Sequence, residues 1–303
     1  MTYQFLKKSI FVFIFSSLLF LNPSFSQRIK VAFGLGACSY IGDLQKREEL
    51  LVQPSTAFSV GATYNLNDYW KARVDLSLLT VRGDDKVNSS AFYTRARNLN
   101  FKSTVWELAF LGELDLVNIF LKKETLITPY IFLGPSIFHF NPTTIDRDGN
   151  KIRLHNVGTE GQLLGNPAYD YRKYSLLQLN FQGGAGIRYA INNKVTLGIE
   201  TSIRKLNTDY IDDVHTPSYI DPADFLAKGQ VVAAQLEHRG DELGYTFNYA
   251  QAGARGTGRG YDFYYTMQIK ATFRLDNVHI GGDLDYYGAS QRRAKRSVRN
   301  PRF

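Results

Sequence analysis

The stretch YDFYYTMQIKATFRL, residues 261–275, alternates apolar and polar side chains along its whole length. Phe263, Ile269 and Phe273 lie on the apolar face, and Lys270 lies on the polar face. A period of two places alternate side chains on opposite faces of a β-strand. Strands are usually about 5–6 residues long. The unusual length of this strand indicates that its apolar face contacts a surface larger than the core of a small domain.

The same alternation recurs in six other segments, and a seventh, residues 128–140, is apolar on both faces, so its register is ambiguous. Short connections follow the second, fourth and sixth strands, and long connections follow the first, third, fifth and seventh. Short turns at one end and long loops at the other are typical of outer-membrane β-barrels. The predicted strands cover residues 29–36, 58–66, 70–78, 106–116, 128–140, 177–189, 195–204 and 261–275, and the predicted long loops cover 42–54, 82–99, 141–173 and 206–261.

A soluble β-sandwich is the alternative fold for these strands. It would bury the apolar faces in a core and would not need strands of this length. A strand that spans a membrane needs about 9–11 residues, and each of its backbone groups must pair with a neighbouring strand. We therefore predict an all-β fold, an eight-stranded antiparallel transmembrane β-barrel with short periplasmic turns, long extracellular loops and apolar faces against lipid.

The polar faces of the predicted strands carry basic and acidic residues in near balance. Buried charges must be paired or solvated, so we expect these side chains to pair inside the barrel. The interior of eight strands is just filled by side chains, which argues against a diffusion pore. The predicted lumen charge network consists of Lys71, Arg73, Asp75, Glu107, Glu113, Arg188, Glu200, Arg204 and Lys270.

The N-terminus has the pattern of a secretory signal. Lys7 and Lys8 precede an apolar run over residues 10–21, and Ser24 and Ser26 form a small-x-small cleavage site. A membrane anchor is the alternative, but a spanning helix needs about 20 residues. We predict three parts: a signal peptide at 1–26, an outer-membrane barrel at 27–275 and a basic periplasmic tail at 276–303.

The end of the chain is strongly basic and has no acidic residue from position 291 onward. It is either a solvated end or an arm that binds an acidic protein or lipid headgroups. The compartment excludes nucleic acid as a partner. The basic residues of the predicted tail are Arg292, Arg293, Lys295, Arg296, Arg299 and Arg302.

The longest predicted loop contains an acidic cluster, Asp209, Asp212 and Asp213. Carboxylates at this density can bind a hard cation such as calcium, but the spacing does not match an EF-hand. We favour loop capping and pairing of these carboxylates with Arg204 or Arg255.

Three further features point to no specific chemistry. The Gly- and Arg-rich run at 253–260 lacks the strand and helix context of a phosphate-binding loop. Ser136 and His139 are close in sequence, but nothing else marks them as a catalytic pair. Cys38 is the single cysteine, and we expect a buried, inert thiol that points into the lumen. We expect no cofactor.

Five segments together resemble the PorG-type outer-membrane barrels of the type IX secretion and gliding machinery of the Bacteroidetes. They are GLGACSYIGDL (34–44), LNFKSTVWELAFLGELDL (99–116), TPYIFLG (128–134), NTDYIDDV (207–214) and GARGTGRGYDFYYTMQIKATFRL (253–275). The resemblance implies a scaffold rather than an enzyme, held in outer-membrane lipid and associated with a periplasmic ring of the PorK lipoprotein and PorN. The basic tail is not part of the shared pattern. A surface-binding barrel that acts through its long loops and a barrel enzyme that acts on lipid are the alternatives.

Overall fold

The computed structural model of the chain describes residues 29–46, 52–87, 92–117, 126–245, 254–258 and 260–275. The predicted signal peptide (1–26) and the predicted tail (276–303) lie outside the described residues. The described part contains ten β-strands, and every paired set of strands is antiparallel. They are β1 (Ile29–Ile41), β2 (Ser55–Asn65), β3 (Trp70–Asp84), β4 (Asn100–Asp115), β5 (Ile127–His139), β6 (Pro142–Ile145), β7 (Lys151–Arg153), β8 (Leu177–Ala190), β9 (Val195–Leu206) and β10 (Phe263–Arg274).

Eight of these strands close into a barrel. Their order around the barrel is β1, β2, β3, β4, β5, β8, β9, β10. The last strand returns to the first, because Lys30 pairs with Arg274 at one end and Ile41 pairs with Phe263 at the other. The prediction of a closed, eight-stranded antiparallel barrel is confirmed.

The two faces of the barrel wall differ in the way that the alternation predicts. Outward side chains such as Leu76, Trp106 and Ile269 are apolar and exposed, with Ile269 exposing 63% of its surface. Inward side chains such as Glu107 and Glu200 are polar and buried. An apolar outer band around a polar interior is the arrangement of a barrel that lies in a bilayer.

Two glycines of β8 make room for aromatic rings inside the barrel. A Cβ atom at Gly186 would overlap the ring of Tyr130, and one at Gly184 would overlap the ring of Phe132. Both rings belong to β5, which pairs with β8. Because the fifth predicted strand is apolar on both faces, the sequence left its register ambiguous, and the glycines of β8 fix which face can lie inside.

The structure differs from the predicted boundaries on the long-loop side. The predicted loop 82–99 begins later, because β3 continues to Asp84, and it ends as predicted, because β4 begins at Asn100. The predicted loop 141–173 contains the hairpin of β6 and β7. On the loop side of the Trp106–His139 pair, β4 continues beyond the end of β5. This part of β4 pairs instead with β6, at Lys102. The hairpin therefore satisfies backbone groups that would otherwise be unpaired.

The long loops form an ordered layer over one end of the barrel. We call the described residues within 42–54, 85–99, 140–176 and 207–262 the loop layer. Leu164, Ile220, Phe225 and Ala233 form an apolar cluster in this layer. Its α-helices are Phe92–Arg97, Leu154–Val157, Pro222–Ala227 and Val231–Leu236, and its 3₁₀-helices are Pro167–Arg172 and Gly240–Leu243. In the described part of the chain, no helix is long and apolar enough to cross a membrane.

Candidate functional site in the lumen and the loop layer

Arg73 lies at the centre of the charged groups in the barrel lumen. Its guanidinium donates to both carboxylate oxygens of Glu200, at 2.7 and 3.1 Å. It also lies 3.1 Å from Glu113 and 2.9 Å from Asp75, and its Cζ atom is 4.3 Å from the ring centre of Phe132. Arg73 therefore connects three carboxylates from β3, β4 and β9.

Three further basic side chains extend this cluster. Lys270 on β10 pairs with Asp75 at 3.0 Å and with Glu200 at 2.8 Å. Lys71 contacts Asp115 and lies 3.4 Å from Glu113. Arg188 contacts Glu113, lies 3.2 Å from Asp115 and covers the ring of Tyr130. The result is a balanced set, which we call the lumen network: Lys71, Arg73, Arg188 and Lys270 with Asp75, Glu113, Asp115 and Glu200.

A second ion pair lies closer to the loop layer. Arg204 Nε donates to Glu107 at 3.2 Å. Asn180 donates to the same carboxylate at 2.8 Å, and the hydroxyl of Tyr264 also donates to it. Because all of these side chains are buried, the charges in this part of the lumen are satisfied by protein groups.

Aromatic side chains occupy the lumen above this pair. The rings of Phe138 and Phe140 are stacked 5.6 Å apart, and Phe138 lies 6.4 Å from the ring of Tyr264. Tyr40 packs edge-on against Phe101 at 5.0 Å. Rings and ion pairs together place packed side chains at successive levels of the lumen, as expected for eight strands.

The structure places all nine residues of the sequence-derived charge network on the inner face of the barrel wall. Eight of them are buried, and the Arg188 side chain exposes 12%. Sequence reasoning did not include Tyr130 or Tyr264 in that set, although each contacts a charged member of it. The inward position of Tyr264 follows from the alternation of residues 261–275, which was the available signal. The sequence of β5 gives no such signal for Tyr130.

The three predicted acidic residues of the longest loop form hydrogen bonds with different partners. His215 Nδ1 lies 2.7 Å from Asp209. Asp212 accepts a hydrogen bond from the hydroxyl of Tyr40. Asp213 accepts hydrogen bonds from Thr159 and Tyr174, both at 2.6 Å. Across the residues that the structure describes, no group of three or more His, Cys, Asp or Glu side chains has metal-binding geometry.

The expected partners of these aspartates were Arg204 and Arg255. The expectation for Arg204 is wrong, because this residue faces the lumen and pairs with Glu107. Arg255 does reach Asp213, but it donates to the backbone carbonyl, at 3.3 Å. Its ionic partner is the carboxylate of Glu160.

Arg255 connects separate long loops inside the loop layer. Its guanidinium contacts Glu160 and donates to Thr159 Oγ1 at 2.9 Å. It also donates to the carbonyl of Glu237 at 3.3 Å. Glu160 accepts from the backbone of His215 at 2.8 Å. These buried contacts join the third and fourth long loops.

Burial changes the acidity of several groups in the loop layer. It raises the pKa of Asp213 to about 6 and the pKa of Glu237 to about 7, against an opposing effect of the Arg255 charge. It lowers the pKa of His238 to about 4. Shifts of this kind follow from removing charged groups from water.

The structure also locates the other sequence candidates, as far as it describes them. Ser136 faces the lumen and donates to Asn180, whereas His139 lies three residues further along β5 and faces outward. Their side chains therefore lie on opposite faces of the wall. Cys38 exposes 1% of its surface. The six basic residues of the predicted tail lie outside the described residues.

The sequence profile of the outer membrane protein beta-barrel domain matches residues 19–219. No curated protein matches the chain significantly. Among solved structures, Neisserial surface protein A is similar, with 10% identity, coverage of 81% of this chain and 96% of the other, and a TM-score of 0.39.

Two further solved structures are similar to the chain. For Ail of Yersinia pestis the identity is 8%, the coverage is 82% of this chain and 98% of the other, and the TM-score is 0.34. For OprG of Pseudomonas aeruginosa the identity is 9%, the coverage is 82% and 97%, and the TM-score is 0.35. The profile match is the comparison that bears on the family.

Proposed function

The chain belongs to the family of outer membrane protein β-barrel domains, and from that premise we propose that it is a structural component of the type IX protein secretion machinery. It is an outer-membrane protein. In the proposed role, the barrel anchors a periplasmic ring complex of the PorK and PorN type to the outer membrane. Five sequence segments that resemble PorG-type barrels motivate the proposal.

A basic groove at the short-turn end of the barrel is the observation that carries the proposal. The groove has a volume of about 400 Å³, and Lys30, Lys194 and Arg274 line it together with the acidic Asp115. Asp115 already pairs with Lys71 in the lumen network, so the basic side chains determine the charge of the groove. Short turns of outer-membrane barrels face the periplasm, where a ring protein with an acidic surface would complement it.

The predicted tail carries further basic residues. It follows Arg274 in the sequence and carries six basic residues between positions 292 and 302. We propose that the groove and the tail bind the same acidic periplasmic partner. Contacts of this kind weaken with added salt, because exposed charges are screened over about 8 Å at physiological ionic strength.

Complementation of a gene deletion tests the role. Deleting the gene should abolish export of type IX cargo, and the full-length chain should restore it. A variant with Ala at all six basic tail positions should still insert, because β10 is complete at Arg274. This variant should lose most of the crosslink to periplasmic partners, because the tail no longer attracts an acidic surface.

A control changes two exposed basic residues of the loop layer, Lys46→Ala and Lys228→Ala, and should crosslink like the unmodified chain. Normal export after the deletion would contradict the secretion role. If export does depend on the gene and the six-Ala variant crosslinks fully, the tail has no part in partner binding.

Surface binding through the long loops is the second candidate function. Leu226, Val231 and Val232 are large apolar residues of two neighbouring loop-layer helices, and all three are exposed. Apolar residues that cluster on a protein surface often mark interaction sites. Normal export after the gene deletion, together with a loss of adhesion by the deletion strain, would favour this candidate.

A further inference from the structure

The outer face of β3 and β4 changes from apolar to basic near the loop layer. Leu78 pairs with Trp106, and both face outward. Thr80 and Thr104 form the next outward pair toward the loop layer, and Arg82 and Lys102 form the pair after that. Two outward steps along a strand cover about 13 Å, so the basic pair lies beyond the apolar part of this face, on the side of the loop layer.

The β6–β7 hairpin adds two more basic residues at this level. Lys102 pairs with Thr143 on β6, and Thr143 pairs with Arg153 on β7. Directly paired residues of antiparallel strands share a face, and Lys151 lies two residues before Arg153. Arg82, Lys102, Lys151 and Arg153 are all exposed, so a row of basic side chains lies above the lipid-facing band on this side of the barrel.

A groove of about 490 Å³ lies at this row. Arg82, Lys102 and Lys151 line it, with Asp84 as an acidic neighbour. Three basic groups against one acidic group give the groove a positive charge. Its apolar lining comes from Val52, Val87 and Ile145, which are exposed.

The basic groups of the groove have donors available for a ligand. Arg82 Nη2 donates to the carbonyl of Pro54 at 2.9 Å, which leaves further N–H groups of the guanidinium. Within the described ranges, Lys102 and Lys151 form no ion pair. Asp84 accepts from the backbone of Lys86 at 2.9 Å, so part of its acceptor capacity is used inside its own turn.

We propose that this groove binds the phosphate group of a phosphorylated glycolipid in the outer leaflet of the outer membrane. Arg82, Lys102 and Lys151 contact the phosphate, and the acyl chains lie against the outward Leu78 and Trp106. The position of the groove favours a lipid over a free anion, because the basic residues lie directly above the apolar wall. This binding site is separate from the periplasmic role proposed above and does not depend on it.

A binding experiment on the full chain tests the site. The protein, purified in detergent, is titrated with bisphosphorylated lipid A and with the same lipid stripped of its phosphates. The full chain should prefer the phosphorylated form. The triple variant Arg82→Gln, Lys102→Gln, Lys151→Gln should bind that form about a hundredfold more weakly, from the usual attraction of each basic residue to an anionic surface.

The control Lys46→Gln, Lys205→Gln, Lys228→Gln removes the same charge from exposed positions elsewhere and should bind like the full chain. If the triple variant fails to fold, Lys102→Gln alone provides the test. Its folded state is checked by heat-dependent gel mobility, and it should also bind the phosphorylated lipid more weakly than the full chain. Equal affinity for both lipid forms, or unchanged binding by a folded Lys102→Gln variant, would overturn the proposal. So would competition by millimolar inorganic phosphate as effective as that of the lipid, since the site would then take the free anion.

Discussion

Replacing Arg73 with leucine should destabilise the folded barrel by roughly 3–5 kcal/mol, by analogy with buried ion pairs that lose one partner. The change leaves Glu200, Glu113 and Asp75 beside one another without the guanidinium that lies between them. These carboxylates are buried, so water cannot replace the lost contacts at low cost. The unfolding midpoint of the refolded barrel in urea measures the loss.

Val74 offers a matched control on the same strand. Its side chain is the next one along β3, faces outward and exposes 40% of its surface. Val74→Ala should cost far less than Arg73→Leu, because lipid or detergent can occupy the space that the methyl groups leave. A larger loss at Val74 than at Arg73 would reverse the assignment of the inner and outer faces.

Arg73→Lys separates charge from geometry. Lysine keeps the positive charge but cannot donate in a fork to both oxygens of Glu200, as the guanidinium does. We expect this variant to fall between the unmodified chain and Arg73→Leu in its urea midpoint.

Replacing Arg255 with methionine should open the loop layer while leaving the barrel folded. The variant leaves Glu160 as a fully buried carboxylate without its cationic partner. Local opening of the layer should become easier by roughly 3–5 kcal/mol, on the same reasoning about broken buried pairs. Hydrogen exchange of the protein in detergent measures it, through faster exchange at residues 154–164 and 209–240 and unchanged exchange in the barrel strands.

Lys228→Met is the control for Arg255→Met. Lys228 is an exposed basic residue of the same loop, and surface substitutions usually change stability by about 0.5 kcal/mol or less. Its exchange pattern should match that of the unmodified chain. If Arg255→Met also leaves the exchange of both loop segments unchanged, Arg255 does not hold the loop layer together.

The barrel could be predicted from the sequence because lipid on one side of the wall and a polar lumen on the other impose a period of two. The prediction was weakest for β5, where Phe132 and Phe138 face inward although they are apolar. Their positions depend on the space that the glycines of β8 leave and on the aromatic rings above the lumen charges. The sequence of β5 alone carries neither piece of information.

Charge partners could not be predicted residue by residue. Alternation placed Arg73 and Glu200 on inner faces, but they are 127 positions apart in sequence, and strand order and shear decide which charges meet. The same reasoning explains the incorrect partner for Arg204, which pairs inside the lumen rather than with the loop aspartates.

The loop layer was the least predictable part of the described chain. Strands β6 and β7 have four and three residues, which is too short for a periodic signal. Arg255 and Glu160 are 95 positions apart, and their pairing depends on how two long loops pack together. The segment 207–214 was visible as an acidic cluster, but its hydrogen-bond partners come from β1 and from the third long loop.

The central claim is that the barrel spans the outer membrane with its loop layer outside. The most direct test is to introduce single cysteines and measure their labelling on intact cells. Cys38 is almost fully buried, so the native chain gives little background. Asp148→Cys in the β6–β7 turn should react with a membrane-impermeant maleimide on intact cells. Asn193→Cys in the short turn between β8 and β9 should react only after the outer membrane has been permeabilised. Labelling of Asn193→Cys on intact cells, with Asp148→Cys protected, would contradict the orientation and with it the periplasmic docking role.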